Sequence, residues 1–193
     1  VLYSKISDRA DVLTIDYRVA PEHPYPAALE DSIEAYQWLL DRGYGGEIII
    51  AGDSAGGGLG LALGHYLKDN KLQMPKAFIT MSPWTDLTLS GESFDFNYEL
   101  DPLFGKSRET LLYNRTYVGD SDPKHPYLSP LFGDFTGFPP ILIQVGSFEM
   151  LLSDSERVAI KANEAGVRVK YTVYPGMFHD FQMGMRLMKE SKD

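Results

Sequence analysis

The residues best suited to chemistry lie in one stretch, "EIIIAGDSAGGGLGLALGHYL" at 47–67. There the β-branched run Ile48–Ile50 passes into Gly52-Asp53-Ser54-Ala55-Gly56, a single hydroxyl with glycine two residues to either side. A nucleophile carried on a sharp strand-to-helix turn takes a strained backbone conformation, and its neighbours at those two places are expected to come so close that a side chain would collide. Such a turn exposes the hydroxyl. It also puts the Ala55 N–H at a helix N-terminus, where it can stabilise an oxyanion. The same glycines could instead cradle a phosphate. Against this, the Lys-Ser/Thr end of a P-loop is missing, and Gly52, Gly56, Gly57, Gly58 and Gly60 do not read as Gly-x-Gly-x-x-Gly from the strand end. A serine at its free pKa is a poor nucleophile and needs a base, normally histidine oriented by a carboxylate. The candidates for base are His23, His65, His125 and His179.

Five apolar segments can position these groups: strands at 12–17, 47–51, 77–81, 141–145 and 169–173. Pro26 suits the first turn of a helix running through Leu29, Ile33, Tyr36 and Leu40 to Gly43, and a second helix comes after Ser54. Further helices are expected at 107–118, 154–165 and 179–190. Strands with almost uninterrupted apolar residues imply burial on both faces. Alternation of strand and helix argues for an α/β class domain: a mostly parallel sheet, right-handed crossovers and helices on both faces. The connection at 82–140 is long and aromatic, with Trp84, Phe94, Phe104, Tyr117 and Tyr127 among its residues. It begins beyond the carboxyl ends of the strands, where ligands sit in such sheets. It can line a pocket or form a satellite hydrophobic cluster, and the sequence favours neither.

For a serine on such a turn in an α/β-hydrolase sheet, the chain order is serine, acid, histidine, with the acid after a late strand and the histidine after the last. His179, in "YPGMFHDF", alone satisfies that order. The acid is expected in "QVGSFEMLLSDSERV", where Glu149 stands just past the fourth strand. Asp154 is its rival, although Ser153-Asp154-Ser155-Glu156 reads as a capping box that explains Asp154 as a first-turn acid. Asp86, in "SPWTDL", is a third candidate and reads as a turn cap.

The 193 residues suit one domain, 1–193, and 44% apolar content is that of a folded globular chain. A formal charge of −9 without a basic stripe argues against nucleic acid and anionic bilayers as partners. The absence of cysteine rules out disulfides, thiolate metal sites and thiol nucleophiles. No apolar run reaches the length of a membrane span. A cytoplasmic location is the expectation.

Five blocks together carry a resemblance: "DYRVAPEHPYPAALED" (16–31), "GDSAGGGLG" (52–60), "SPWTDL" (82–87), "VGSFEMLLSDS" (145–155) and "PGMFHDF" (175–181). In order and in register, the chain resembles the bacterial hormone-sensitive-lipase-like carboxylesterases of the α/β-hydrolase fold. The resemblance implies Ser54 as nucleophile, His179 as base and Glu149 as acid, where many members carry aspartate. It implies short- to medium-chain carboxylic esters as substrates and requires no metal or cofactor. Family members also carry an upstream His-Gly-Gly-Gly loop that supplies most of the oxyanion hole, and an N-terminal cap. Residues 1–10 read instead as the end of the helix that comes after that loop. The chain is therefore expected to be the C-terminal part of the domain, keeping only the Ala55 donor, and an intact mass of 21.6 kDa would contradict this. Removing one oxyanion donor costs about 10²–10³ in turnover.

Two other functions compete: a binding or receptor module that has kept the fold and lost the chemistry, and amide hydrolysis on the same residues. A homodimer through the last strand, "VRVKYTVY", is also consistent with the resemblance, although Arg168 and Lys170 read equally as charges that block an edge. Met177, Met183, Met185 and Met188 read as core filler.

Overall fold

The computed structural model describes residues 10–105 and 114–192. In chain order its helices are α1 (Ala27–Asp41), α2 (Ser54–Asp69), α3 (Ser93–Phe96), α4 (Asn114–Val118) and α5 (Leu152–Glu164). Its strands are β1 (Ile49–Asp53), β2 (Ala77–Met81), β3 (Ile141–Gly146) and β4 (Val169–Tyr174), all parallel and hydrogen-bonded in that order. Parallel neighbours need crossovers. Helix α2 supplies the one from β1 to β2 and α5 the one from β3 to β4, while 82–140 joins β2 to β3.

Register lines up Ile50, Phe78, Ile141 and Val169 on one face of the sheet. That face is buried against Leu61 of α2 and Val158 and Ala162 of α5, with Phe135 and Phe138 closing the layer. Full burial of the larger of these, such as Phe78, Ile141, Leu61 and Val158, contributes roughly 1.5–3 kcal/mol each by leaving water. Helix α1 adds Leu29 and Tyr36 to a neighbouring cluster with Leu63 and Leu67 of α2. The opposite face receives a 3-10 segment, Phe181–Leu187, with Phe181 and Tyr174 ring centroids 4.7 Å apart. The helical layer there is thus 3-10 rather than α among the described residues.

Several expectations need correction. Residues 12–17 form no strand among the described residues, and Leu13 is 50% exposed. An extended segment becomes a strand only by pairing, and none of the four strands pairs with it, β1 being paired on the β2 side alone within the described residues. For the same reason β1 is not buried on both faces, and Ile49 is half exposed. The helix expected at 179–190 is the 3-10 segment plus a second at Glu190–Lys192, so Met183 is 53% exposed and not core filler. Residues 107–113 of the helix expected at 107–118 lie outside the described residues, and α4 covers the rest. The capping box does not form: Leu151 is the N-cap of α5. Ser153 bonds across the fold instead, its Oγ accepting the Ser93 N–H at 2.8 Å while its own N–H donates to Ser93 Oγ at 2.9 Å.

Candidate active site

The β1–α2 junction is as abrupt as the sequence requires. Asp53 is extended, and Ser54 has φ +51°, in the left-handed region that side chains seldom occupy. Only one of the two flanking glycines is sterically required. A Cβ on Gly52 would overlap the Gly56 carbonyl, whereas a Cβ on Gly56 would meet nothing. Further along, a Cβ on Gly58 would strike the Trp84 carbonyl, so the glycine run lets α2 press against the loop after β2. The Ser54 carbonyl accepts the Trp84 N–H at 2.9 Å and fixes that loop to the turn.

The structure brings Ser54, Glu149 and His179 together from three chain segments. His179 Nε2 lies 2.9 Å from Ser54 Oγ, and Nδ1 lies 3.1 Å from Glu149 Oε2. Glu149 is wholly buried. Its other oxygen accepts the Ser82 hydroxyl at 2.7 Å and the Gly146 N–H at 2.5 Å, satisfying a carboxylate that burial would otherwise penalise. The acid and histidine loops are joined directly: Phe148 N–H donates to the Met177 carbonyl at 3.0 Å, and Gly176 N–H to Ser147 Oγ at 2.8 Å. From the long connection, the Asn97 amide donates to the carbonyls of Ser147 and Glu149, and Asp101 accepts the Met150 N–H at 2.9 Å. Phe104 packs on the His179 ring with centroids 4.6 Å apart.

Burial works to lower the pKa of His179, but the Asp180 and Glu149 carboxylates outweigh it and hold the ring up at about 9. Asp180 Oδ2 stands 3.2 Å from Nε2, the nitrogen that also faces Ser54.

The other sequence candidates lie elsewhere. His65 is buried against the Pro130 carbonyl at 3.0 Å, His125 accepts the Tyr127 N–H within its own loop, and His23 sits in an exposed bend. Asp154 is the first-turn acid of α5, as expected, but it is buried there with its Oδ2 accepting the N–H groups of Thr85 and Asp86, a tertiary role the sequence did not show. Desolvation pushes it up to about 7. Asp86 caps its turn by accepting from Thr88 and Ser90 and pairs with Arg157 at 3.0 Å. Ser82, Asn97, Asp101 and Asp180 were not anticipated. The first and last lie inside the "SPWTDL" and "PGMFHDF" blocks, while nothing in the sequence marks Asn97 or Asp101.

A cavity of about 250 Å³ is bordered by Ala55, the residue after the serine, and by Tyr17, Gly58, Trp84, Tyr127 and Leu128. A larger open groove of about 540 Å³ runs along α1 past Trp38 and is bordered by no residue of the strand-to-helix turn at 52–58. Residues of the 82–140 connection border the cavity and also form a separate cluster, in which Phe94, Trp84 and Phe104 pack with Met150 and Leu151 from the segment after β3. Among the described residues no group of metal-ligating side chains is assembled, and no helix is long and apolar enough to cross a membrane.

A strand–serine–helix turn on a parallel sheet, with an imidazole and a buried carboxylate behind it, defines a class, and comparison gives the same class. Residues 4–183 match the alpha/beta hydrolase fold family, to which this chain belongs. An esterase of Acinetobacter venetianus is 44% identical over 182 residues, covering 94% of this chain and 60% of the relative. An acetyl-hydrolase of Streptomyces hygroscopicus is 41% identical, covering 92% of this chain and 60% of the relative. The crystal structure of an esterase from the bacterial hormone-sensitive lipase family superposes with a TM-score of 0.88 at 40% identity, covering 92% of this chain and 60% of that one. The resemblance carried by the sequence blocks thus extends to the fold, and the chain spans about 60% of the length of these relatives.

Proposed function

We propose that this chain carries the reacting groups of a serine carboxylesterase acting on short- to medium-chain esters. The observation that carries the reading is the 2.9 Å contact between Ser54 Oγ and His179 Nε2, with Glu149 behind the ring at 3.1 Å. A neutral imidazole, its Nδ1–H directed at Glu149, accepts the Ser54 proton as Oγ attacks the ester carbonyl. The oxyanion that forms faces the N-terminus of α2, where the Ala55 N–H is one donor. Collapse expels the alcohol, which takes its proton from Nε2. Water, deprotonated by the same nitrogen, then releases the acid from the acyl-enzyme. Three side chains, the ester and water account for every proton and electron pair. The apolar cavity beside Ala55 and the acetyl-hydrolase relative support small acyl groups.

In this reading 1–193 is one catalytic domain, with 82–140 near its pocket. The outer edge of β4 has no strand partner among the described residues, which leaves it open to a second copy of the chain. A p-nitrophenyl ester series on the full-length protein tests the reading. The expected result is preference for short to medium acyl chains and a loss of at least about 10⁴-fold in kcat for Ser54→Ala. Equal turnover by wild type and Ser54→Ala would overturn it.

A further inference from the structure

Asp180, next to His179 in the chain, is an acid that the esterase mechanism does not use. Its backbone is left-handed, φ +54° and ψ +33°, a conformation uncommon for any residue but glycine. Its N–H donates to Ser82 Oγ at 3.2 Å, the same hydroxyl that donates to Glu149. This fold of the chain turns Oδ2 to within 3.2 Å of His179 Nε2. Its Oδ1 is shut away from solvent with no hydrogen-bond partner, an unfavourable position for a carboxylate unless Oδ2 has a strong one. Nε2 therefore has two oxygens competing for it, Ser54 Oγ at 2.9 Å and Asp180 Oδ2 at 3.2 Å. The two contacts require different protonation. When Nε2 carries a proton it can donate to the Asp180 carboxylate. When Nε2 is bare, its lone pair accepts from the Ser54 hydroxyl, and a carboxylate oxygen at that distance is repelled. The charged groups paired with the ring are Glu149, from the loop after β3, and Asp180, from the ring's own turn. Among the described residues its other contacts are with uncharged groups, Ser54 of α2 and Phe104 of the long connection.

We infer that Asp180 is a positioning residue that holds resting His179 as an ion pair on Nε2, in competition with Ser54, and so confines the enzyme to an alkaline working range. The inference rests on the esterase reading. Its chemistry balances simply: as pH rises the imidazolium gives its Nε2 proton to solvent, the ion pair is lost, and Ser54 becomes the sole partner of that nitrogen. The raised His179 value near 9 agrees with the geometry.

The test compares full-length wild type with Asp180→Asn, which keeps the shape and tolerates the left-handed backbone, and with Asp180→Gly, which adopts it freely. The acid limb of kcat/KM should move down by about one pH unit. That amounts to a gain of roughly tenfold at pH 6, converging within about twofold at pH 10. The His179 ring resonances, tracked by NMR in histidine-labelled protein, should titrate at correspondingly lower pH. This readout needs no activity, and the glycine variant serves if the asparagine variant does not fold. Parallel profiles with an unchanged His179 titration overturn the inference, as does a uniform loss at every pH, which marks a structural role. If wild type and His179→Ala turn over esters equally, the esterase reading falls, while the NMR titration still decides the Asp180 contact.

Discussion

His65 and His179 are buried almost equally, 2% and 3% exposed, in two parts of the same domain, yet their environments push them in opposite directions. His65 projects from α2 onto the end of the long connection, its Nε2 on the Pro130 carbonyl and its ring against Phe135 and Phe138. Desolvation there drives it down to about 4, so it stays neutral. His179 meets the same penalty, but two carboxylates face its two nitrogens, and it is held up at about 9. Burial alone thus makes a histidine inert. A carboxylate on each side reverses that, and the backbone is left-handed at Ser54 and at Asp180, where these groups meet.

The contrast fails most visibly if the two residues are interchangeable in catalysis. His179→Ala should lower kcat by about 10⁴-fold or more, while His65→Leu should leave kcat within about threefold when both are assayed below their unfolding temperatures. Glu149→Gln removes the charge behind the ring and should cost roughly 10³–10⁴ in kcat. Ser82→Ala, which leaves Glu149 Oε1 the Gly146 N–H alone, should cost only about tenfold, measured as kcat on one ester.

Stability sharpens the contrast. His65 has a folded value near 4, below its ordinary 6.5, so the unfolded chain takes up more protons between those values, and stability falls as pH drops through that window. The loss amounts to up to about 3 kcal/mol. Asp154, raised to about 7 by burial, acts oppositely: its folded form binds the extra proton, so its contribution is lost as pH rises from about 4 to 7. Urea midpoints measured from pH 7 to pH 4 should therefore fall less for His65→Leu than for wild type, and more for Asp154→Asn. Identical slopes in all three proteins would mean that neither group is buried in the charge state described.

Order along the chain was enough to select His179 from four histidines, because only one lies beyond the last strand, and a parallel sheet gathers the loops that leave its strands at one carboxyl edge. Glu149 was legible for the same reason. The illegible features depend on partners distant in sequence. Ser153 looks like a helix cap by spacing, yet its oxygen is satisfied by the Ser93 N–H, a choice local pattern cannot reveal. Gly56 looks as constrained as Gly52, but the close approach runs one way, from the Gly52 position onto the Gly56 backbone, and only the folded chain reveals it. Val12 to Tyr17 has strand character, and whether it becomes a strand depends on a neighbouring backbone to pair with. Asp180 is visible as an acid beside the histidine, but its approach to Nε2 comes from a left-handed φ that no composition rule supplies.

Covalent labelling of the full-length protein with a fluorophosphonate, then peptide mapping, tests the central claim most directly. The account predicts adduct on Ser54 alone, formed faster as pH rises and lost in His179→Ala. Label on another residue, or label on Ser54 at the same rate without His179, would contradict it.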